Sequence, residues 1–403
     1  MPTAPHRRDP VLQALYLSSA ATATTLGLLF SLSALYLTRV AGLGARTVGA
    51  GLTIAGIFAI ATTFLAGRLC DRYGTRTVMA AAAVIQAAAL TGYCLLQGNV
   101  ALFVLLACAL LGAQGVQGTA KVTLVALVFA GSGRTAARAK MRVITNIFVA
   151  VGSGLGALTL AIGTASACRS ALIAAAVLML CSPLPLARLT LPSAPPPTPG
   201  APAPLRDRRY LALAALNGVI YVQFEVLTLG LPLWVATRTE ASDALIGIFI
   251  VLNTAVVTAL QVPATRLVNG VPAAGRTVFG ATGLLALACV LYPVAAWFDA
   301  LVASIVLVFA VLVHSCGEVL SEAGGWELAF ELADPARPGA YQGVSQTGAA
   351  VGAALAPVVI TSSALAYGLP GWLFLGGAFV AAGAGTRMLS ATTTKPAPAT
   401  VPQ

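Results

Sequence analysis

The chain has 403 residues, of which 58% are hydrophobic and only 9% are charged. Soluble domains carry about 25% charged residues, so this composition excludes an ordinary soluble protein and indicates a chain that crosses a membrane many times. The net charge of +11 comes from Lys and Arg residues scattered through short loops. This pattern argues against a nucleic-acid-binding surface, which needs a clustered basic face.

Hydropathy divides the chain into about twelve apolar segments. Each is close to or above the ~20 residues that a helix needs to cross a bilayer, and helices satisfy every backbone polar group within lipid. The sequence therefore predicts an all-α polytopic membrane protein. The predicted cores of the segments are 11–37, 47–66, 77–97, 100–130, 143–164, 169–187, 210–235, 244–264, 277–297, 300–326, 341–364 and 369–389.

The middle of the chain separates two halves that resemble each other. The stretch PSAPPPTPGAPAPLRDRR (192–209) is rich in Pro and Ala and has no apolar periodicity, which is typical of an extended linker. RLCD at 68–71 and RLVN at 266–269 occupy equivalent places, and each precedes a Gly-containing loop and an Arg-Thr-Val. We expect two pseudo-symmetric six-helix bundles, a transporter pattern. The predicted division is a bundle at 1–190, a cytoplasmic linker at 191–209, a bundle at 210–392 and a disordered tail at 393–403.

The basic residues predict the orientation. Cytoplasmic loops carry the excess of Lys and Arg in membrane proteins. With a cytoplasmic N-terminus, 18 of the 23 Lys and Arg residues fall on the inner side. The exceptions are Arg39, Arg46, Arg169 and Arg238 on the outer side and Lys121 within a span. We therefore expect a multi-pass protein of the cell membrane with both termini in the cytoplasm.

The loop between the second and third spans reads GRLCDRYGTR (67–76). Its glycines permit a tight inner turn, and Asp71 can face the exposed amides at the start of a neighbouring helix. This loop resembles the signature loop of the major facilitator superfamily. Three further stretches resemble the drug:proton antiporter branch of that superfamily: RVITNIFVAVGSGLGAL (142–158), LPLWVATRT (231–239) and FELADPARPGAYQG (330–343).

The resemblance implies the major facilitator fold and proton-coupled export of small, largely apolar or cationic compounds by alternating access. It also implies that the inner loop locks one conformation by contacting the start of the eleventh span, near 339–341. Exporters of this branch often carry G-x-x-x-G-P-x-x-G-G in the fifth span, whereas residues 152–156 read GSGLG, without the proline. The direction of transport therefore rests on overall likeness. The predicted gating residues are Gly67, Asp71, Arg72, Gly74, Arg76 and Arg142.

Acidic residues within the apolar segments are candidates for proton coupling. His314, Glu318 and Glu322 follow at i, i+4 and i+8 and share one helix face, and Glu225 lies well inside the seventh span. A charged residue at mid-membrane costs about 2.5–3.5 kcal/mol, so it is seldom placed there without a partner or a function. A carboxyl group at such a position can bind and release a proton near neutral pH. The predicted proton-coupling residues are Glu225, Glu318 and Glu322, and a structural ion pair is the alternative.

Polar residues of both halves are candidates for a substrate cavity between the bundles, where such transporters bind their substrates. Lys121 is a base within an otherwise apolar span. It can neutralise an acid or contact an anionic group of a substrate, or it can extend to the inner interface. The predicted cavity residues are Lys121, Gln114, Gln117, Asn146, Tyr221, Gln223, Asn253 and His314.

The sequence contains little that favours an enzyme or a metal-binding protein. His314 and Glu318 have the spacing of metal ligands, but His6 is the only other histidine and no catalytic or phosphate-binding motif occurs in the sequence. We therefore expect no enzyme activity, catalytic residue, metal or cofactor. The expected partners are a small-molecule substrate, protons and the lipid bilayer, for a protein that is a monomer. The alternatives are an importer of a sugar or organic acid and a receptor or lipid-handling protein that does not transport.

Overall fold

The computed structural model describes residues 8–192 and 203–391. The predicted tail at 393–403 and residues 193–202 of the predicted linker lie outside the described residues. Twelve long helical segments follow one another in the described part of the chain, joined by short loops. In chain order they are α1 (Pro10–Val40), α2 (Ala45–Tyr73), α3 (Thr75–Tyr93), α4 (Val100–Val128), α5 (Ser132–Ile162), α6 (Ala165–Ala187), α7 (Arg208–Arg238), α8 (Ala244–Leu267), α9 (Val271–Trp297), α10 (Ala300–Glu331), α11 (Pro338–Leu365) and α12 (Leu369–Ala391).

Several segments change their helical geometry along their length. The α-helical part of α1 ends at Leu35 and is followed by a π-helical turn at Tyr36–Val40, and α7 and α11 contain such turns at Val226–Gly230 and Thr361–Leu365. α8 and α9 end in 3₁₀ turns at Thr265–Leu267 and Ala295–Trp297, and a further 3₁₀ turn at Pro204–Arg206 precedes α7. α6 consists of Ala165–Cys181 and a short turn of helix at Leu184–Ala187.

Eleven of the twelve segments are long and apolar enough to cross a membrane. The exception is α3, whose 19 residues include Arg76 and the buried Gln86. It lies between α2 and α4 in the chain and packs against α4 and α6. The helical content and the number of segments agree with the expected polytopic fold.

Polar side chains mark where several helices begin. The first amides of a helix lack intrahelical partners, and a side-chain oxygen at the preceding position can accept from them. Asn99 accepts from Leu102 N at the start of α4, and Thr164 accepts from Ala167 N at the start of α6. Asp207 and Asp299 do the same at the starts of α7 and α10.

One compact unit of the molecule comprises the described residues within 1–206 together with 333–354. In this unit α1 packs along α5, and α2 packs along α4. The contact between α1 and α5 depends on small residues, because a Cβ at Gly152 or Gly156 would press into the backbone of α1. Gly154 faces open space instead. Two of the three glycines in the stretch 152–156 thus make the close helix contact.

The second compact unit comprises the described residues within 207–332 and 355–403. α9 is central here and packs against both α10 and α12. Its Tyr292 is fully buried beside Trp372 of α12, with ring centroids 5.1 Å apart. Trp234 of α7 packs edge-on against Trp372 and donates a 3.0 Å hydrogen bond from Nε1 to the Tyr292 carbonyl. The predicted domain boundaries at 190 and 210 stay a prediction.

Candidate functional site

The last turn of α2 contacts the start of α11. The sequence predicted a loop at 67–76, but residues 67–73 are helical and only Gly74 separates α2 from α3, because hydropathy does not detect helical turns that carry charged residues. Asp71 is half-buried, and its Oδ1 and Oδ2 accept hydrogen bonds of 2.8 Å from Gly339 N and Ala340 N. These amides belong to the first turn of α11, so they have no intrahelical acceptor and lie at the positive end of the helix dipole. A carboxylate that accepts two such bonds is stabilised both by the hydrogen bonds and by the favourable interaction of its charge with the helix dipole. The contact lies within the first unit.

Glycines allow α2 and the start of α11 to approach at backbone distance. A Cβ at Gly67 would overlap the Gly339 carbonyl oxygen, and a Cβ at Gly343 would lie 3.0 Å from the Phe64 carbonyl oxygen. Gly74 ends α2 with φ 80° and ψ 146°, a conformation open to glycine but not to most residues. The loop motif therefore combines one carboxylate with the glycines that bring it to the amides.

The arginines of the loop have different surroundings. Arg72 is exposed and lies over the Tyr73 ring at 5.2 Å, and Arg68 lies over the Phe64 ring at 4.8 Å. Arg76 and Arg142 are half-buried. Arg138 of α5, which the sequence did not single out, donates a 3.0 Å hydrogen bond from Nη2 to Gln346 Oε1 of α11. A second polar contact with α11 thus lies in the same unit.

The equivalent loop in the second unit joins α8 to α9. Gly270 has φ 82° and ψ 164°, close to the conformation of Gly74, and likewise precedes the next helix. Its amide donates a 3.2 Å hydrogen bond to Glu327 Oε1 of α10. Asn269 is exposed and donates from Nδ2 to the Arg266 carbonyl at 3.1 Å, within its own turn.

Lys121 is the buried base of the first unit. Only 8% of the residue is exposed, and Nζ donates to Thr22 Oγ1 at 2.6 Å and to the Ser18 carbonyl at 3.3 Å, both on α1. Thr22 in turn donates to the Ser18 carbonyl at 3.0 Å. The two hydrogen-bond acceptors of Lys121 are therefore neutral oxygen atoms.

A second polar chain of the first unit joins α3, α4 and α6. Gln86 Nε2 donates to Gln117 Oε1 at 2.8 Å, and Gln117 Nε2 donates to Ser182 Oγ at 3.1 Å. All three residues are buried, so the chain satisfies polar groups that would otherwise be costly in an apolar bundle. Gln114 and Asn146 are half-buried on α4 and α5 and belong to neither polar group in the described part of the unit.

Glu318 lies inside the second unit with 2% of the residue exposed. Its Oε2 accepts a 2.8 Å hydrogen bond from Asn253 Nδ2 of α8, and the same amide nitrogen lies 3.0 Å from Ser315 Oγ. Ser315 donates to the Val311 carbonyl at 2.7 Å, so its oxygen is free to accept. The structure thus brings together two of the predicted residues, Glu318 and Asn253, and adds Ser315.

The other predicted residues of the second unit surround this group or stand apart from it. His314 is fully buried, and its ring centroid lies 6.1 Å from that of Tyr292. Glu322 is 8% exposed. Glu225 is half-buried at the start of the π turn of α7, where Thr228 Oγ1 donates to its Oε2 at 2.9 Å.

Tyr221 and Gln223 occupy the end of the first helical stretch of α7. The Tyr221 ring packs on Phe224 with centroids 4.6 Å apart, and Gln223 is 1% exposed. Tyr292 and Ser315 were absent from the sequence prediction. Both lie in apolar runs, and the signal that could have found Ser315 is its position three residues before Glu318.

The sequence matches the sequence model of the Major Facilitator Superfamily over residues 15–357. The chain belongs to this superfamily. Because the superfamily consists of transporters, this member is a multi-pass membrane protein of a transporter family, and the expectation that it is not an enzyme agrees with its family. No curated protein matches the sequence.

Solved structures of the superfamily share the fold of this member. The human organic anion transporter MFSD10 (TETRAN) is 17% identical, with a TM-score of 0.69, and 95% of this chain and 100% of that chain are covered. The proton:xylose symporter XylE is 13% identical, with a TM-score of 0.72 and coverages of 94% and 95%. FucP in its outward conformation is 13% identical, with a TM-score of 0.71 and coverages of 94% and 98%. The predicted all-α major facilitator fold is confirmed.

Proposed function

We propose that this chain is a proton-coupled secondary transporter that exports small, largely apolar or cationic compounds by alternating access, as in the drug:proton antiporter branch. The observation that carries the proposal is the burial of Glu318. Its carboxyl group is buried within a membrane-spanning helix, and its Oε2 accepts a hydrogen bond from the side-chain amide of Asn253. A buried carboxyl group of this kind can hold a proton in one state and release it in another.

The contact of Asp71 with α11 supports the alternating-access part of the proposal. Two hydrogen bonds join the end of α2 to Gly339 and Ala340. Such a contact can form in one conformation and break in another, so it is suited to setting the populations of two states. We propose that the arginines of the loop and Arg142 assist this gating.

The test uses the purified protein in proteoliposomes with an imposed pH gradient and a panel of lipophilic cations, uncharged lipophiles, sugars and organic anions. We expect the pH gradient to drive accumulation of a lipophilic or cationic compound. Glu318→Gln keeps the shape of the side chain and removes its titration, so it should abolish gradient-driven accumulation and spare downhill exchange. Glu240→Gln, in an exposed loop position, is the control and should transport normally. Wild-type accumulation by Glu318→Gln would contradict the proposal.

A second candidate function is the transport of an organic anion. Lys121 favours it, because this buried base bonds to two neutral oxygen atoms and can supply a positive charge to an anionic substrate. One structural neighbour, the organic anion transporter MFSD10 (TETRAN), handles the same class of substrate. In the panel, transport of organic anions that Lys121→Met abolishes would favour this candidate, whereas transport of cations that survives the substitution would favour export of cationic compounds.

The remaining parts of the proposal concern the setting of the protein. We propose a monomer in the cell membrane with both termini in the cytoplasm and with a small-molecule substrate and protons as its partners. The distribution of basic residues supports this orientation. Protease protection of tags at each terminus in oriented vesicles would test it.

A further inference from the structure

The interior of the second unit contains polar atoms with no hydrogen-bond partner among the described residues. They include both ring nitrogens of His314, the Tyr292 hydroxyl and Trp372 Nε1. All three residues are fully buried, with relative exposures of 0%. Buried polar groups are almost always hydrogen-bonded, and a group left unpaired destabilises the fold. Three such side chains in one bundle therefore need a physical explanation.

The three side chains adjoin one another. The ring centroid of Tyr292 lies 6.1 Å from that of His314 and 5.1 Å from that of Trp372. The backbone of Gln223 on α7 lies near the imidazole of His314. The unpaired atoms thus form one group that spans α9, α10 and α12.

The three side chains of this group extend from one end of the second unit towards Glu318. Tyr292 lies near the end of α9, and Trp372 lies in the first turn of α12. Glu318 is more than halfway along α10, one helical turn beyond His314 and on the same face. The Tyr292 hydroxyl is close enough to Glu318 for an electrostatic interaction. The other titratable groups that adjoin this path are Cys289 on α9 and Glu322 on α10.

We propose that Tyr292 and His314 form a proton relay that connects Glu318 with the end of the second unit where α9 ends and α12 begins. This inference rests on the proposed proton-coupled function and names the route by which the proton reaches its site. Both side chains can donate and accept hydrogen bonds at once, and the unpaired atoms can hold relay protons or bridging waters. Trp372, which can only donate, orients the water at the entrance.

Each transfer balances within the relay. A hydronium ion at the entrance gives a proton to the Tyr292 oxygen and becomes water, as the hydroxyl proton of Tyr292 passes to the unprotonated ring nitrogen of His314 and makes it an imidazolium. The proton on the other ring nitrogen then passes to the Glu318 carboxylate, which leaves His314 neutral. Only O–H and N–H bonds form and break, and the reverse sequence releases the proton from Glu318.

The test follows protonation of Glu318 by time-resolved infrared spectroscopy of the protein in lipid nanodiscs after a rapid change in pH. The carboxyl band of Glu318 is the one that disappears in Glu318→Gln. Tyr292→Phe removes the unpaired hydroxyl and keeps the ring, so we expect it to slow protonation about tenfold or more and to leave the final amplitude unchanged. Because the variant loses an unpaired buried group, its melting temperature should stay the same or rise.

Tyr210→Phe is the matched control in the same unit. The Tyr210 hydroxyl is also buried, but it donates a 3.0 Å hydrogen bond to the Ala329 carbonyl, away from the relay. We expect this variant to keep the wild-type protonation rate. His314→Leu is the second relay variant and should be slow like Tyr292→Phe. If it fails to fold, Tyr292→Phe decides the test alone.

The outcomes separate the relay from the function on which it rests. Wild-type rates in Tyr292→Phe, or equal slowing in Tyr292→Phe and Tyr210→Phe, would overturn the relay and leave proton coupling at Glu318 intact. A Glu318 band that does not titrate in the wild-type protein would overturn both. Slow protonation confined to the relay variants supports the relay, and a further loss of rate in deuterated water would agree with it.

Discussion

The α2–α3 and α8–α9 connections contain the same glycine turn, but the polar residues beside that turn bind different parts of the molecule. Just before the turn from α2 into α3, Asp71 at the end of α2 binds the amides of Gly339 and Ala340 at the start of α11. In the loop between α8 and α9, Asn269 bonds within its own turn. The glycines that precede the next helices, Gly74 and Gly270, have nearly the same backbone conformation.

The difference shows how one repeated turn can serve two purposes. The first loop contributes a charge to a distant helix end, so its bonds depend on where α11 lies. In the second loop the acid comes from the neighbouring helix, because Gly270 N donates to Glu327 of α10. This loop is closed by a contact with the neighbouring helix α10 and carries no charge at the position equivalent to Asp71. We therefore expect the first loop to control conformational change and the second to stabilise its bundle.

The largest expected effect comes from Gly67→Ala, which should break the first loop's contact. A Cβ at this position would overlap the Gly339 carbonyl oxygen, and overpacking of this kind costs about 1–3 kcal/mol. The melting temperature of the purified protein should fall, and transport should be lost or strongly reduced. Gly56→Ala on the same helix is the control, because a Cβ there meets nothing within 4 Å. A stable, active Gly67→Ala variant would show that the helices can separate without consequence.

An intermediate effect is expected from Asp71→Asn, which tests whether the charge matters. The amide can still accept one hydrogen bond but loses the charge-assisted pair, and hydrogen bonds to charged groups contribute about 1.5–3 kcal/mol. A loss at the lower limit corresponds to roughly tenfold in the equilibrium between two states. We expect conformational exchange, measured by single-molecule fluorescence, to shift away from the state described here, with little change in thermal stability. Normal exchange and normal transport would remove the gating role of this loop.

The smallest effect is expected from Asn269→Asp, which gives the second loop the acid of the first. Asn269 is exposed and bonds only within its turn, and exposed substitutions of this kind usually change stability by about 0.5 kcal/mol or less. Transport and melting temperature should both stay close to wild type. A large change in transport would mean that the second loop also gates, and the distinction between the two loops would fail.

The sequence predicted the fold well, because lipid permits few structures. A run of about 20 apolar residues in a membrane must be helical, so α4, α8 and α10 were located to within a few residues. The inner end of α5 was missed: the helix begins at Ser132, eleven residues before the predicted core, because its first turns are polar and hydropathy does not detect them. The π turns in α1, α7 and α11 left no composition signal.

The candidate site was only partly predictable. Asp71 was found from its motif, and Glu318 and Lys121 were found because charges are rare in apolar helices. Their partners could not be read from the chain, because Asn253 meets Glu318 only when α8 packs on α10, and Thr22 meets Lys121 only when α1 packs on α4. Tyr292 was missed for a related reason: a tyrosine in an apolar run resembles any packed aromatic residue. Its role as a proton carrier is a proposal that depends on its unpaired hydroxyl.

The bonds between Asp71 and α11 have a consequence for how such proteins change over evolutionary time. The Asp71 carboxylate accepts hydrogen bonds from main-chain amides, which every residue other than proline supplies. These two bonds therefore do not depend on which side chains stand at the start of α11. Coevolution between the two sides should therefore be weak, apart from the glycines at 67 and 339 that set the spacing. Asp71 can be recognised in the sequence from its motif, whereas the amides that bind it have no sequence signature of their own. Searches for correlated substitutions would therefore overlook a contact of this kind even where it is present.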